Sequence, residues 1–267
     1  MRKKEFLRGI EGVVAGGTAT VNGETGKRVH RSKLFYTESG VLSDPSTTGI
    51  TRITERVNGV LMTDLTPAQA RAIHLLNGGA LGTGEIPLAK SEPWRASIVG
   101  EEATSWDLIG QNSYHLGVQF DAAATVPGIR VFQESDTIQN LDNGQPFKAI
   151  VKHLPISFNA VSGINDFNTL PINFPIQRIH LFAAGAIDDV EVLADGQVVY
   201  EATDDENTRL LADYGLVGGV MAFPIVFDMD QQASNALNVR RTLNIRVNSA
   251  ATQTITAIVE QRVPNFI

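Results

Sequence analysis

Short segments in which apolar and polar residues alternate run along most of the chain, and turn residues separate them. Residues 114–121 place Leu116, Val118 and Phe120 on one face, and residues 242–248 alternate in the same way. Successive side chains of a strand point to opposite faces of a sheet, so each segment predicts a half-buried β-strand. Many short strands between frequent turns favour a β-sandwich or barrel over a parallel sheet with crossover helices.

One pattern occurs twice. Residues 53–66 (ITERVNGVLMTDLT) return as residues 190–203 (VEVLADGQVVYEAT), a constant 137 positions later. Each copy predicts a strand, an Asn-Gly or Asp-Gly hairpin turn, a second strand and the start of a helix.

The repeat extends in both directions. Residues 31–35 resemble residues 178–182 at an offset of 147, and residues 116–125 resemble residues 243–252 at an offset of 127. The offset drifts because loops differ in length, while the order of the matching segments is kept. We therefore interpret the chain as two copies of one β-fold, joined within the polar, turn-rich residues 135–146.

A short helix is predicted directly after each hairpin. Thr66 with Gln69, and Thr203 with Glu206, have the spacing of a capping box, in which both side chains satisfy free backbone N–H groups. Glycine-containing stops predict the two helix ends, at residues 77–79 and at Gly215. The predicted apolar stripes consist of Ala72, Ile73 and Leu76 in the first helix, and of Leu210, Leu211 and Tyr214 in the second.

Composition narrows the classes of function. The 267 residues carry a net charge of −7, and 43% of them are hydrophobic, which is enough for a substantial core. An acidic chain is not a general nucleic-acid binder, because phosphate contacts need clustered Lys and Arg. The absence of cysteine excludes disulfides and thiolate zinc sites. No run approaches the roughly 18 apolar residues of a membrane-spanning helix, and the start lacks the apolar stretch of a secretory signal.

The sequence contains no catalytic signature. The glycine-rich residues 78–84 (GGALGTG) lack the Lys-Ser/Thr ending of a phosphate loop, and no Gly-x-Ser-x-Gly elbow occurs. The histidines form no pair at metal-binding spacing, so we interpret them as packing or surface residues. They are His30, His74, His115, His153 and His180. We predict that the protein is not an enzyme and has no catalytic or cofactor-binding residue.

Acidic residues support a calcium hypothesis. A hard cation such as calcium needs several carboxylates, and acids cluster after the second hairpin and again on a later strand. The first group also suits the positive end of a helix dipole, and neither group has the spacing of an EF-hand loop. The candidate calcium ligands are Asp204, Asp205, Glu206, Asp228 and Asp230.

Two further features predict contacts. The start of the chain interleaves basic and apolar residues, namely Arg2, Lys3, Lys4, Phe6, Leu7 and Arg8. Such a segment can contact anionic lipid head groups, and the alternative is a solvated terminus. Trp94 and Trp106 lie in a loop-rich stretch and are expected to anchor the core or a subunit contact, because large aromatic side chains dominate interface burial.

The C-terminal half has a distinctive order of segments between Ile176 and Tyr214. It contains RIHLFAAGA at residues 178–186, then VEV at residues 190–192 and an Asp-Gly turn. Together with residues 243–260, this run resembles the second jelly roll of the major capsid protein family of corticoviruses. The N-terminal half is similar to the first jelly roll of that family. The likeness is one of hydrophobicity and turns, and it brings no liganding motif with it.

The resemblance implies an all-β fold of two tandem eight-stranded jelly rolls, a double jelly roll, each with a short helix, in residues 1–137 and 138–267. It implies a bacteriophage major capsid protein whose homotrimers form pseudo-hexameric capsomers of an icosahedral shell around an internal membrane. The expected partners are neighbouring capsomers, a penton protein, and the viral membrane or membrane proteins beneath the shell, with no specific nucleic acid. The expected location is the virion, after assembly in the host cytoplasm. Shells of this family are associated with calcium.

Other functions stay open from the sequence. A tandem carbohydrate-binding module would need a patch of exposed aromatic residues, whereas most of the aromatic residues here are Phe in strand segments. A bicupin enzyme would need two or three His and a Glu at metal spacing in each barrel, which the chain does not provide. A minor capsid or spike protein would share the same fold signals.

Overall fold

Antiparallel strands joined by tight turns make up most of the molecule, as the alternating segments predict. The computed structural model describes residues 2–45, 49–92, 104–137, 149–229 and 235–264. The chain divides into two units. The first contains Met1–His74, Gly79–Val151 and Pro264–Ile267, and the second contains Leu75–Gly78 and Lys152–Val263.

The elements before the middle of the chain are long strands interspersed with strands of two residues. They are β1 (Lys3–Phe6), β2 (Ile10–Glu11), β3 (Thr18–Asn22), β4 (Arg28–Glu38), β5 (Val41–Leu42), β6 (Ile50–Val57), β7 (Val60–Leu65), α1 (Pro67–Leu76), β8 (Glu85–Ala89), β9 (Trp106–Asp107), β10 (Tyr114–Phe120) and β11 (Pro127–Asp136).

Two sheets form the first unit. One has the order β1-β11-β4-β8, with the short β5 and β9 also pairing with β4, and the other contains β3-β10-β6-β7 with β2 beside β3. In β10 the predicted face is confirmed, because Leu116, Val118 and Phe120 are buried. Phe120 lies against the ring of Tyr36 from β4, at 6.4 Å between centroids, so side chains from both sheets share one core.

The elements of the second half follow the same plan with fewer short strands. They are β12 (Ala149–Ala160), β13 (Gly163–Phe167), β14 (Ile176–Phe182), β15 (Ile187–Ala194), β16 (Gln197–Thr203), α2 (Asp204–Asp213), β17 (Phe223–Val226), β18 (Leu243–Ser249) and β19 (Gln253–Pro264).

The described residues of the second unit also form two sheets, of four strands each. Their orders are β12-β19-β14-β17 and β13-β18-β15-β16. One apolar cluster combines Ile179 and Val259 from the first sheet with Val192 and Ile245 from the second. The alternation predicted for residues 242–248 is confirmed, because every second residue of β18 from Leu243 is buried.

The strand orders of the two units correspond element by element. The first sheet of the first unit has the order β1-β11-β4-β8, and its counterpart in the second unit has the order β12-β19-β14-β17. The other sheet of the first unit has the order β3-β10-β6-β7, and its counterpart has the order β13-β18-β15-β16. A helix follows the equivalent hairpin in both halves. Each half is therefore an eight-stranded, two-sheet jelly roll, and β2, β5 and β9 are additions to the first. The predicted double jelly roll is confirmed.

The residue pairs within the equivalent hairpins of the two halves also correspond. In the β6–β7 hairpin Ile53 pairs with Leu65, and 137 positions later Val190 pairs with Ala202. A bulge interrupts both hairpins at the equivalent step, and Gly59 and Gly196 complete both turns with positive φ angles of 79° and 82°. The upstream offset of 147 is also reflected in the pairing, since β4 and β14 place their bulges at equivalent positions against β11 and β19.

The downstream offset of 127 was wrong. Tyr114 pairs with Val57, and its structural counterpart Leu243 pairs with Ala194, which gives an offset of 129 between β10 and β18. An error of two residues preserves the face on which every side chain lies, because side chains alternate with a period of two. The apolar pattern alone therefore cannot distinguish the two registers.

The helices end where the glycines predict. Helix α1 ends at Leu76 before Gly78, and α2 ends at Asp213 before Gly215, both glycines having positive φ. The apolar stripe of α1 is confirmed, because Ala72, Ile73 and Leu76 are buried.

The predicted stripe of α2 was wrong for two of its three members. Leu211 is buried, but Leu210 and Tyr214 are 41% and 46% exposed. The inner face of α2 uses Asn207 instead, one turn before Leu211. The Asn207 amide donates to the carbonyl oxygen of Pro224 at 2.8 Å, and its side-chain oxygen accepts from the hydroxyl of Tyr200 at 2.6 Å. A polar residue is stable inside because its hydrogen bonds are made.

The predicted boundary between residues 137 and 138 lies at the edge of residues 138–148, which are outside the described part of the chain. That boundary stays a prediction.

Candidate functional site: assembly surfaces and buried charges

Each hairpin turn holds the loop that precedes a central strand. The side-chain oxygen of Asn58 accepts hydrogen bonds from the backbone N–H groups of residues 112–113, at 2.8 and 3.1 Å. The carboxylate of Asp195 accepts from the N–H groups of residues 240–242, at 2.7 to 3.0 Å. These bonds, first that from Thr242, lower the pKa of Asp195. The two turns therefore fix the entries to β10 and β18.

Capping boxes begin both helices, as predicted. The backbone N–H of Thr66 donates to the Gln69 side chain at 2.8 Å, and the N–H of Gln69 donates to the Thr66 hydroxyl at 3.2 Å. In α2 the Glu206 carboxylate accepts from the backbone N–H and the hydroxyl of Thr203, at 2.9 and 2.8 Å. These contacts lower the pKa of Glu206.

The calcium candidates are not brought together. Glu206 is engaged by the cap, while Asp204 and Asp205 are exposed beside it. Asp228 is buried and accepts from Arg178 Nε at 3.1 Å. Asp230 lies outside the described residues. Among the residues that the structure describes, no group of three or more His, Asp or Glu side chains is placed to hold a metal ion, so calcium stays a prediction.

A buried charged cluster lies in the second unit, around Glu260. One carboxylate oxygen of Glu260 accepts from Nε2 of His180 at 2.8 Å and from Nε2 of His153 at 3.2 Å. Arg178 Nε lies 3.9 Å from the other oxygen and 3.1 Å from Asp228. Burial lowers the pKa of His180. Burial also opposes ionisation of Glu260, but the two histidines hold its pKa well below its usual value.

This Glu260 cluster was missed by the sequence reasoning, which treated the histidines as scattered. His153 and His180 lie on β12 and β14, two strands that both neighbour β19. One signal was present, namely two ionisable residues, Arg178 and His180, within the largely apolar residues 176–182. Charges in a strand that is buried on both faces require partners. The partner could not be identified before the pairing of β14 with β19 was known.

A second cluster, in the first unit, surrounds Lys90. Its ammonium group pairs with the carboxylate of Glu55 and lies 4.2 Å from the centre of the Trp106 ring. The Tyr114 hydroxyl donates to Glu55 at 2.6 Å. Burial lowers the pKa of Lys90 and raises that of Tyr114. Trp106 is fully buried and thus anchors the core, as one of the two predicted roles requires, whereas Trp94 lies outside the described residues.

A third cluster, also in the first unit, joins the start of β4 to the end of the neighbouring strand β11. Arg28 donates to both oxygens of Asp136, from Nε at 2.9 Å and from Nη2 at 2.8 Å, and His30 Nε2 lies 3.0 Å from the same carboxylate. Burial lowers the pKa of His30. Such two-pronged pairing with arginine gives geometric specificity. We assign these three clusters to the stability of the subunit.

The basic start of the chain is a strand. Strand β1 pairs with β11, so Lys3–Phe6 are ordered, while Lys3, Lys4 and Phe6 stay exposed to solvent, and the predicted lipid contact stays a prediction. Phe6 packs edge-on against Phe132 at 5.7 Å, and Lys3 pairs with Glu5 at 2.5 Å. Lys4 remains exposed at the edge of the sheet.

The outer edge of β16 and one face of α2 expose apolar side chains. Val198 and Val199 are 51% and 42% exposed, and Leu210 and Tyr214 add to them from α2. Exposed acids lie in the same elements, namely Glu201, Asp204 and Asp205. An exposed apolar edge strand favours pairing with another chain. No helix among the described residues is both long and apolar enough to cross a bilayer.

Two family models together match most of the chain. The model of the viral coat protein P2 N-terminal domain matches residues 4–136, and that of the viral coat protein P2 C-terminal domain matches residues 149–262. No curated protein sequence gives a significant match.

Solved viral structures have the same fold. The major capsid protein P2 from bacteriophage PM2 is similar with a TM-score of 0.86 and 18% identity, over 99% of this chain and 98% of that one. Sulfolobus turreted icosahedral virus contributes a chain with a TM-score of 0.72 and 9% identity, over 98% and 91%. The Faustovirus major capsid protein has a TM-score of 0.66 and 8% identity, over 100% and 90%.

The matches to both halves favour a coat protein over the carbohydrate-binding and cupin alternatives. The family consists of structural proteins and not of enzymes. A coat protein is part of a virion, where it contacts further subunits of the shell. Because the two models cover well over half of the sequence in the correct order, the chain belongs to the viral coat protein P2 family.

Proposed function

We propose that this protein is the major capsid protein of a bacteriophage with an icosahedral shell around an internal membrane, and that it assembles as a homotrimer. The observation that carries the proposal is the duplication itself, in which two jelly rolls with equivalent strand orders lie in one chain that matches coat-protein models in both halves. Three such chains provide six similar jelly rolls, which suits a capsomer of pseudo-hexagonal outline. The solved relatives named as capsid proteins support the same role.

The proposal includes further partners. Neighbouring capsomers would surround each trimer, a penton protein would occupy the fivefold positions, and assembly would take place in the host cytoplasm. Arg8 is exposed just beyond the end of β1, and it supports a contact with anionic lipid head groups or membrane proteins beneath the shell. Sedimentation with vesicles containing anionic lipid tests this contact, and Arg8→Glu is expected to weaken it. Equal binding of the wild type to neutral and anionic vesicles would contradict it.

The trimer is tested by light scattering after size exclusion of the purified protein. The expected mass is three times the 28.8 kDa of one chain. A strict monomer at every concentration would contradict the proposed trimer. Abundance in purified virions separates a major capsid protein from a minor capsid or spike protein, because only the former would be the predominant protein band.

A further inference from the structure

We propose that the exposed edge of β16, together with the neighbouring face of α2, binds strand β1 of a second copy of this chain. The inference rests on the proposed trimer and names the surfaces that hold it together. It follows from a difference between the two halves, from the place of β1 in its sheet, and from the charges on the two surfaces.

The two equivalent hairpins differ in what covers their second strands. Met62 on β7 and Val199 on β16 are counterparts at the offset of 137, and their pairing registers agree. Yet Met62 is 1% exposed and Val199 is 42% exposed. The same backbone edge is therefore covered in the first unit and bare in the second, although both carry apolar side chains.

The cover over β7 comes from the start of β12. The first residues of that strand, 149–151, belong to the first unit, and β12 stands beside β7 in the strand order. Ile150 is buried there in one cluster with Met62 and Val57. Strand β12 is the first strand of the second jelly roll, and it pairs with that jelly roll's last strand, β19.

The counterpart of β12 in the first jelly roll is β1. It is likewise the first strand, and it pairs with the last strand of its own jelly roll, β11. No strand lies on the outer side of β1 among the described residues, and the same is true of β16. The described residues thus include a bare edge that is equivalent to the covered edge of β7, and a bare first strand that is equivalent to β12. A head-to-tail contact between copies satisfies both, and such contacts form closed rings when the rotation between subunits allows closure.

The charges and apolar residues of the two surfaces complement each other. Strand β1 exposes Lys3 and Lys4, whereas β16 and the start of α2 expose Glu201, Asp204 and Asp205. Opposite charges across an interface steer association and disfavour wrong pairings. Phe6 is 44% exposed on β1, and in the proposed contact it would pack against the edge strand of the second copy on which Val198 and Val199 are exposed. The apolar centre with a charged surround has the composition of a protein interface.

A charge placed on the β16 edge tests the contact. The variant Val199→Lys is expected to shift the mass from three chains to one in light scattering. The matched control is Ile164→Lys, since Ile164 is 68% exposed on β13, the opposite edge strand of the same sheet. The control is expected to stay trimeric. Far-UV circular dichroism and a cooperative thermal transition establish that both variants are folded. If Val199→Lys stays trimeric, the proposed surface is wrong.

Charge reversal gives an independent readout that does not depend on the apolar edge. Lys4→Glu and Glu201→Lys are each expected to raise the concentration of half-dissociation at least tenfold at low salt, and the double variant is expected to restore it. Arg56→Glu, at an exposed position on β6, is the control and is expected to have no effect. If the two changes act independently, so that the double variant dissociates at a still higher concentration than either single variant, β1 is not the occupant of the β16 edge.

The two proposals fail in different ways. A monomeric wild type under all conditions overturns the proposed trimer and this contact together. A trimeric wild type whose mass is unaffected by Val199→Lys overturns only the contact, and leaves the capsomer proposal in place.

Discussion

Asn58 and Asp195 lie 137 positions apart and have the same left-handed backbone conformation, with φ angles of 49° and 52°. Each is followed by a glycine, and each accepts backbone N–H groups from the loop that leads into the neighbouring strand. The backbone N–H groups of the two residues also donate to equivalent carbonyl oxygens, those of Ser113 and Thr242, at 3.0 and 2.9 Å. One local device thus holds both jelly rolls at the same point.

Replacing Asn58 with Ala removes the acceptor for two N–H groups, and Ala adopts the left-handed region less readily than Asn because it has no side-chain amide for local hydrogen bonds. We expect the free energy of unfolding to fall by about 1–3 kcal/mol, from the lost hydrogen bonds and the backbone strain together. Urea unfolding followed by circular dichroism measures it. Asn58→Asp keeps the acceptor and is expected to lose much less. Equal losses in the two variants would show that the side-chain acceptor does not matter.

Thr203 begins α2 with both halves of a capping box. Thr203→Ala is expected to destabilise the protein by about 1 kcal/mol, because the backbone N–H of Glu206 loses its acceptor and the Glu206 carboxylate loses the hydroxyl donor. Thr203→Ser keeps the hydroxyl and serves as the control. Thermal unfolding compares the three proteins, and identical midpoints for Ala and wild type would contradict a stabilising cap.

Arg178 and Arg31 occupy equivalent positions in β14 and β4, yet their surroundings differ. The Arg178 side chain is 2% exposed beside Asp228 and Glu260, whereas the Arg31 side chain is 46% exposed beside Glu134. We expect Arg178→Met to cost about 3–5 kcal/mol, because it leaves carboxylates buried without their cation. Arg31→Met is the matched control and is expected to cost less than about 1 kcal/mol. Chemical denaturation at pH 7 measures both, and similar losses would contradict this account.

The Glu260 cluster predicts a stability that declines in acid. Burial lowers the pKa of His180 below its ordinary value of 6.5, so below that pH the unfolded chain binds a proton that the folded chain does not. The pKa of Glu260 is also lowered, so its contribution is present above its ordinary value of 4.5 and is lost as the pH falls through and below that value. Both effects have the same sign, and the free energy of unfolding should decrease from pH 7 towards pH 4.

His180→Gln tests this pH dependence, because Gln can donate to Glu260 but does not titrate. The slope of unfolding free energy against pH between 5 and 7 is expected to become shallower than in the wild type. His115→Gln is the control, since His115 is exposed on β10. An unchanged slope in His180→Gln would show that the protonation of His180 is not linked to folding.

Local features were accessible from the sequence because their causes lie within a few residues. The hairpin turns at Asn58 and Asp195 follow from the need for two left-handed residues, and the helix starts at Thr66 and Thr203 follow from side-chain oxygens that reach the nearest free N–H groups. The period of two revealed the buried face of β10. The duplication supports the same fold for both halves, because the hairpin turn and the helix start return at matching positions.

The sequence by itself determined the two hairpins, the two helix starts, the apolar faces of β10 and β18, and the repetition of these features, since they depend on neighbours along the chain. Tertiary structure alone decided the offset of 129 between β10 and β18, because a shift by two residues leaves every side chain on its face. It also decided that His153 and His180 meet at Glu260, because strands far apart in sequence are brought together only by sheet order. The exposed side of α2, with Leu210 outward and Asn207 inward, depends likewise on hydrogen bonds to distant residues.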